Sequence, residues 1–378
     1  MTQSARSESY WLAEPFESLP AQLGEGRVDV AVVGAGVTGC ACALALAEGG
    51  LRVRVHEARR VAWGASGRNG GFALRGGALP YHWARRELGH ETAAGLWRLT
   101  ERYLDRMQAL AGDALRRVGS LRLADAEELD DVRAEFEALR EDGFDADWVD
   151  QLKPPLDGLF LGAIRHPGDG ALQPARWVRR LAARAVRAGA EIVEESRVGS
   201  LDELDADHVV IATDGYTRDL LEPLDRAIRP VRGQVLVTEP LRQRLYDCPH
   251  YARHGFDYWQ QTPEGNLVLG GRRDVNLEGE YTNEELVTDT IQRALESFAE
   301  QLIGEPPRVM QRWSGIFGAT DDRLPLAGPL AGYEGVWVAA GYSGHGNVLG
   351  LACGELVAEA ILGRPPPELQ LFDPARLF

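Results

Sequence analysis

Three glycine-rich stretches hold most of the residues of this 378-residue chain that could do chemistry. The first runs Gly34-Ala35-Gly36-Val37-Thr38-Gly39 and is followed, after a second apolar run, by Glu57. The second is Gly64-Ala65-Ser66-Gly67-Arg68-Asn69-Gly70-Gly71. The third is Gly341-Tyr342-Ser343-Gly344-His345-Gly346, with Asn347 next as a candidate helix cap. A G-x-G-x-x-G spacing suits a pyrophosphate: Gly34 permits a tight turn, Gly36 lets backbone approach the phosphates, and Gly39 lets a helix pack on a strand. The N–H groups at the start of that helix attract negative charge. Glu57 is either a solvated strand-end acid or an acceptor for a ribose diol, and its distance from Gly39 fits the ribose. The second loop is either a mobile surface loop or a chain passing close to a flat ligand, with Ser66, Arg68 and Asn69 reaching phosphate oxygens or ring edges. The fingerprint by itself does not separate NAD from FAD.

These loops need elements to position them. Residues 28–33, VDVAVV, read as a buried parallel strand, and residues 51–56 as a second. Val37, Cys40, Ala41, Leu44 and Ala47 are spaced as a helix between them. Pro174 opens an arginine- and alanine-rich helix. Residues 206–217, ADHVVIATDGYT, return the chain to the nucleotide domain through a buried strand and a turn at Asp214-Gly215. From residue 229 the texture changes to alternating, aromatic-rich strands, with a hairpin turn at Pro263-Glu264-Gly265 and an amphipathic helix in TNEELVTDTIQRALESFAEQL, residues 282–302. The last elements read strand (337–340), glycine loop, helix. That helix N-terminus could stabilise negative charge on a bound ring system. The fold class is α/β, α+β overall: a Rossmann-like dinucleotide domain carrying an inserted antiparallel-sheet domain.

Composition sets further bounds. Hydrophobic residues make up 44% and charged residues 26%, as in ordinary globular proteins. A net charge of −16 argues against nucleic-acid binding. No run is apolar enough to span a membrane, and residues 1–20 lack a secretory core, reading as an arm lying on the surface. Cys40, Cys42, Cys248 and Cys353 show no CxxC spacing, no metal site is expected, and a cytoplasmic location is expected from the reduced thiols. Lys153 is the only lysine, in a proline-rich loop, so any lysine-dependent chemistry has one candidate.

The chain resembles FAD-dependent oxidoreductases of the D-amino-acid-oxidase superfamily, most closely the γ-glutamylputrescine oxidoreductase branch. The motifs carrying the resemblance are SYWLAEP, VAVVGAGVTG, GASGRNGG, VVIATDGY, RPVRGQ, LVLGGRRD, WSGIFGATDDRLPLAG, AAGYSGHGNVLG and FDPAR. It implies non-covalent FAD. The pyrophosphate would meet Gly34, Gly36, Val37, Thr38 and Gly39, and the adenosine ribose Glu57, with Ala58 and Arg59 beside it. Gly64, Ala65, Ser66, Arg68, Asn69, Gly70 and Gly71 would follow the pyrophosphate and ring. Val198, Ala212, Thr213 and Gly215 would line the adenine–ribityl side. Gly341, Tyr342, Gly344, His345, Gly346 and Asn347 would follow the pyrimidine edge. The implied domains are a discontinuous FAD-binding domain (1–85, 155–220 and 305–378) and a substrate-binding domain (86–154 and 221–304).

Two departures from the family matter. Phe317 stands where sarcosine oxidases carry a flavin-linked cysteine and glycine oxidase a carboxylate-binding arginine. Val268 stands where some relatives place an oxygen-activating lysine. The implied reaction is transfer of hydride from an amine-bearing carbon to flavin, followed by imine hydrolysis. The expected substrate is a small primary or secondary amine, such as a polyamine or N-acylated diamine, and the electron acceptor is oxygen or unknown. Candidates for the substrate cage are Tyr258, Trp259, Trp313, Phe317 and Tyr342, each also readable as core. His345 could bond flavin or substrate, and Arg272 a distal carboxylate. The alternatives are an amino- or imino-acid oxidase or dehydrogenase clamping its substrate with Arg75 or Arg272, and more distantly an NAD-dependent dehydrogenase or a non-catalytic flavin subunit.

Overall fold

The computed structural model describes residues 8–16 and 26–378. A six-stranded sheet runs in the order Leu326–Pro329, Val336–Ala340, Ala206–Ile211, Val28–Val33, Val53–His56, Glu191–Val193. All pairs are parallel except that of the edge strand Leu326–Pro329 with its neighbour. The apolar β-branched runs make this sheet because both of its faces are covered. The helix Val37–Glu48 is apolar on nearly every side and therefore buried. It packs against the C-terminal helix Gly346–Ile361 and the helix Pro174–Arg187. The contact with the C-terminal helix depends on bare backbone: a Cβ on Gly354 would sit 2.5 Å from the Thr38 carbonyl oxygen. Pro174 starts its helix as expected, and the Gln173 side chain accepts from the Arg176 N–H at 2.7 Å.

An eight-stranded sheet forms the second layer, in the order Val309–Ala319, Arg229–Pro240, Asn266–Gly271, Asp257–Gln261, His250–Ala252, Ser120–Ala124, Gly162–His166, Asp147–Val149. It is antiparallel except between Ser120–Ala124 and His250–Ala252. Its membership departs from the expected boundaries. Val309–Ala319 pairs along its whole length with Arg229–Pro240, although residues 305–378 were assigned to the nucleotide domain. Gly162–His166 joins the same sheet from the segment 155–220. Helix His90–Ala111, assigned to the substrate domain, packs on the C-terminal helix and shares the nucleotide-domain core through Leu99, Leu104 and Met107. These pairings join residues far apart in the chain, and local sequence pattern carries no record of them.

Three local expectations also change. The amphipathic helix begins at Asp289, and residues 283–286 instead run along the central cavity. Asn347 is not a cap: the C-terminal helix has no side-chain cap, and Asn347 bonds across to Asn69 and to the Phe72 carbonyl. Of the N-terminal arm, residues 1–7 and 17–25 lie outside the described residues. Residues 9–12 are not on the surface, since Ser9, Trp11 and Leu12 are buried under the second glycine loop. The turn at Pro263–Gly265 forms, closed by Thr262 N–H to Asn266 O at 2.8 Å. Among the described residues no helix is long and apolar enough to cross a membrane, and no cluster of three or more histidine, cysteine, aspartate or glutamate side chains could hold a metal ion. All four cysteines are free and buried.

Candidate active site

The two layers enclose a cavity of about 1060 Å³ that all three glycine loops line. That is the upper end of what a single small ligand uses, and it leaves room for a large cofactor with a substrate beside it. At one end, Gly34 turns at φ +105°, and a Cβ there would lie 2.8 Å from the Ala212 carbonyl oxygen. A Cβ on Gly36 would meet Ser66 Oγ at 2.8 Å, and that hydroxyl accepts the Val37 N–H at 3.0 Å. The first and second glycine loops are thus stitched together. Glu57, at the end of its strand, accepts from the Ala35 N–H at 2.8 Å and the Arg59 N–H at 2.9 Å. Burial pushes its pKa up, against the pull of those bonds. Each carboxylate oxygen keeps a second lone pair for a ribose diol. Ala58, Val198, Ala212 and Thr213 complete this end.

The second loop is held on all sides. Asn69 donates to the Ala65 and Ser66 carbonyls, and its Oδ1 accepts from Gly71 N–H at 2.8 Å. Ser9 Oγ donates to the Gly67 carbonyl and Trp11 Nε1 to the Asn69 carbonyl, each at 2.8 Å. Gln260 Nε2 donates to the carbonyls of Gly70 and Gly71 at 2.7 Å. Arg68 is buried and donates to the carbonyls of Trp63 and Ser314. Gly64, Ala65 and Gly70 line the cavity with these polar residues. A Cβ on Gly70 would lie 2.8 Å from the Tyr258 ring, so the loop passes close under that side chain.

At the other end stand Tyr258, Phe317 and His345, with Phe72 and Tyr251. The Tyr258 ring meets Phe72 edge-on, and its hydroxyl has no hydrogen-bond partner among the described residues. Burial raises its pKa to about 12. His345 starts the C-terminal helix. Burial first, and then the charge of Arg273, lower its pKa to about 4, so it is neutral at pH 7. Its Nδ1 is a buried atom without a hydrogen-bond partner. Gly344 and Gly346 flank it on the cavity wall.

Several expected site residues sit elsewhere. Trp259 is fully buried on the opposite sheet face, stacked on His250 at 5.3 Å, because successive residues of a strand alternate sides. Trp313 faces the correct side but lies beneath the second loop, donating to the Arg68 carbonyl at 2.8 Å. Tyr342 lines the cavity, yet its hydroxyl is engaged by Thr38 Oγ1 at 2.9 Å, tying two helix starts together. Gly39, Gly71, Gly215 and Gly341 do not line the cavity and serve packing. A Cβ on Gly39 would collide with the Gly34 carbonyl oxygen, and one on Gly215 would lie 2.6 Å from Phe317 backbone. Arg272 adopts a left-handed turn (φ +55°), pairs with Asp257 at 2.9 Å and leans over Phe298, away from the cavity. Arg75 lines the cavity but is engaged by Asp169, Glu101 and the Asp145 carbonyl. Lys153 is exposed and does not line the cavity, and Val268 is buried in the core.

Two residues were not foreseen. Asp214, read as a turn residue, is a half-buried carboxylate at the cavity wall. It accepts from Gly318 N–H at 2.9 Å, Gly341 N–H at 2.8 Å and Tyr342 N–H at 3.4 Å. It therefore binds the third glycine loop to the end of strand Val309–Ala319. Arg273, one position beyond the nominated Arg272, reaches the cavity.

The bare-backbone cradle, the stitched loops, the acceptor at Glu57 and the unpaired ring nitrogen of His345 fit a dinucleotide whose planar end reaches the aromatic chamber. Comparison with known proteins agrees. The chain is 28% identical over 393 residues to the γ-glutamylputrescine oxidoreductase of Escherichia coli, covering 94% of this chain and 89% of that one. It is 27% identical over 379 residues to a glycine oxidase of Pseudomonas aeruginosa, covering 92% and 97%. The glycine oxidase structure from Geobacillus kaustophilus superposes with a TM-score of 0.77 at 25% identity, covering 93% of this chain and 98% of that one. An L-proline dehydrogenase from P. horikoshii shares the fold at a TM-score of 0.76 and 20% identity, covering 93% and 98%. The model of the FAD-dependent oxidoreductase family called DAO matches residues 29–360, so the protein belongs to that family of oxidoreductases, with FAD as its cofactor.

Proposed function

We propose that this chain oxidises the C–N bond of an amine-bearing substrate to an imine, which water then hydrolyses to a carbonyl compound and a free amine. FAD, when bound, accepts the hydride and so supplies the redox step. The residues proposed to hold it are those lining the cavity from Gly34 and Glu57 to Asn347. The observation carrying the reading is the continuity of the cavity. It runs from the dinucleotide cradle past Tyr258, Phe317 and His345 to a further recess at Leu79, Trp97, Arg122 and Glu135.

The chain's own side chains have three tasks there. Phe317, Phe72 and Tyr258 exclude water around the reacting carbon. Neutral His345 can accept a hydrogen bond from a substrate N–H without adding positive charge beside a basic amine. The recess accommodates an elongated substrate, with the buried Arg122–Glu135 pair at its end. An N-acylated diamine or polyamine fits that shape, and one relative is named for such a compound. The electron acceptor is oxygen or another oxidant, and the expected setting is cytoplasmic.

The amino- or imino-acid reading has one observation in its favour: Arg273 reaches the cavity although Arg75 and Arg272 are engaged elsewhere. The test is anaerobic. Visible flavin absorbance of the holoenzyme is followed while polyamines, acylated diamines and amino acids are added. Bleaching by an amine or amino acid is expected; absorbance unmoved by every C–N donor would overturn the proposal.

A further inference from the structure

Residues 281–288 connect the helical turns Arg273–Glu280 to helix Asp289–Ile303 and belong to neither strand nor helix. Both ends of this stretch are fixed to strand Arg229–Pro240. Glu280 is fully buried and accepts from Arg232 Nε at 2.9 Å, from Arg232 Nη2 at 2.8 Å and from Gln234 Nε2 at 3.0 Å. At the other end, Gln234 Oε1 accepts the Thr288 N–H at 2.9 Å. Between these anchors Asn283, Glu284, Glu285 and Leu286 line the cavity. Glu284 and Leu286 are exposed, but the side chain of Glu285 is only 8% exposed.

Glu285 reaches across to the nucleotide layer. Its Oε2 accepts from Arg59 Nη1 at 2.6 Å and its Oε1 from the Tyr216 hydroxyl at 2.5 Å, with Arg68 Nε 4.0 Å away. Arg59 lies two positions beyond Glu57, the candidate ribose acceptor, and its guanidinium sits 5.1 Å from the Tyr216 ring centroid. Tyr216 follows strand Ala206–Ile211 and lies against the second glycine loop, where a Cβ on Gly64 would be 3.2 Å from its ring. One carboxylate from the larger sheet's side thus joins three parts of the dinucleotide cradle. Burial raises its pKa, but the bonds from Arg59 and Tyr216 and the charge of Arg68 outweigh that and hold it below the ordinary glutamate value. The bridge is therefore charge-assisted at pH 7.

A dinucleotide reaching from Glu57 to His345 occupies the cavity that this stretch walls. Exchange of so large a group is easiest where the wall can move, and backbone held by neither strand nor helix opens at the least cost. We propose that residues 281–287 are a strap over the dinucleotide site and that Glu285 is its latch, a positioning residue that keeps bound FAD in place by bridging Arg59 and Tyr216. The proposal depends on FAD as the cofactor and not on the amine-oxidation reading above.

A latch has a kinetic signature. Opening it speeds both release and entry, whereas loss of a direct contact to the cofactor speeds release alone, and an Arg59 merely freed to meet phosphate would slow release. FAD release from the holoenzyme is followed by the rise of flavin fluorescence after dilution. FAD uptake by the flavin-depleted full chain is followed by stopped-flow quenching. The proteins are the wild type, Glu285→Gln, Glu285→Ala, Tyr216→Phe and the double variant Glu285→Ala/Tyr216→Phe. Loss of a charge-assisted bond predicts release and uptake both faster by roughly tenfold or more in Glu285→Ala, with Glu285→Gln and Tyr216→Phe between it and the wild type. The double variant should be no faster than Glu285→Ala, because both changes cut one bridge. Unchanged release, faster release with unchanged uptake, or a double variant whose effects multiply each overturn the proposal. If the variants with unchanged release still bleach with amines, the latch falls and the amine-oxidation reading stands; faster exchange in both directions with no bleaching by any C–N donor keeps the latch and sinks that reading. Circular dichroism and urea midpoints of the flavin-depleted chains show that the fold is retained, and Glu285→Gln with Tyr216→Phe carries the test if Glu285→Ala fails this check.

Discussion

Replacing Asp214 by asparagine tests whether one half-buried carboxylate holds this wall of the cavity together. Its Oδ1 accepts from Gly341 N–H at 2.8 Å and more weakly from Tyr342 N–H at 3.4 Å, while Oδ2 accepts from Gly318 N–H at 2.9 Å. An asparagine can keep the first pair through its carbonyl oxygen. Its amide group then faces the Gly318 N–H, donor against donor, at a backbone position that is itself buried. One charge-assisted bond is lost, about 1.5–3 kcal/mol, and a buried N–H is left unsatisfied. Relief of the carboxylate's desolvation, which raises its pKa, offsets part of this. The expected net loss is about 2–3 kcal/mol, with Asp214→Ala at least as severe because it removes every acceptor. Urea unfolding of the FAD-saturated protein reads the stability, and equilibrium dialysis reads flavin retention. The flavin affinity should fall with it, since Gly341 and Tyr342 carry the third glycine loop. A loss below about 0.5 kcal/mol for both variants would refute the reasoning, showing that the three N–H groups find other acceptors.

Three other perturbations follow from the same geometry. Glu57→Gln keeps the bond from Ala35 N–H but loses the charged acceptor, so FAD affinity by equilibrium dialysis should fall roughly tenfold or more, and an unchanged affinity would remove Glu57 from the site. Trp11→Phe keeps the buried ring but deletes the donor to the Asn69 carbonyl, and a loss of about 1–2 kcal/mol in urea unfolding is expected; a change within error would show that the N-terminal segment does not brace the second loop. Burial lowers the pKa of His166 to about 3 and of His250 and His345 to about 4, each below the ordinary histidine value. The unfolded chain therefore binds more protons than the folded one between about pH 4 and 6.5. Stability rises with pH across that window and is lost as pH falls through it, by up to ~1.4 kcal/mol per pH unit for each histidine. Urea midpoints that stay level from pH 6.5 to 5 would contradict this.

The dinucleotide cradle was legible because its requirements are local. A strand, a turn free of side chains, a small-residue helix and an acid after the next strand all lie within residues 28–57, and backbone sterics determine which residues each place accepts. The second loop was legible as glycine density, but not its bracing, which comes from Ser9, Trp11 and Gln260 at distant chain positions. The membership of the larger sheet was hidden for the same reason at larger scale. Val309–Ala319 looks like any apolar strand, and only its pairing with Arg229–Pro240 assigns it to the larger sheet. Asp214 had the local signature of a turn, and it does make one. Its second role depends on Gly318 and Gly341 arriving beside it.

The substrate chamber shows a sharper limit, and part of it could have been overcome from pattern alone. A strand cannot aim two adjacent side chains at one cavity, so Tyr258 and Trp259 were never compatible as joint members of a cage. Gln260 shares the face of Tyr258 and bonds the second loop, which places Trp259 opposite, in the core with His250 and Phe298. The same parity argument stops at Arg272. There the strand has ended, the backbone takes a left-handed conformation at φ +55°, and alternation no longer says which arginine faces inward. The turn sends Arg272 to Asp257 and leaves Arg273 between two rings at the cavity. Which of the two arginines reaches the cavity thus depends on one backbone conformation just past a strand end, where the period-two rule loses its force.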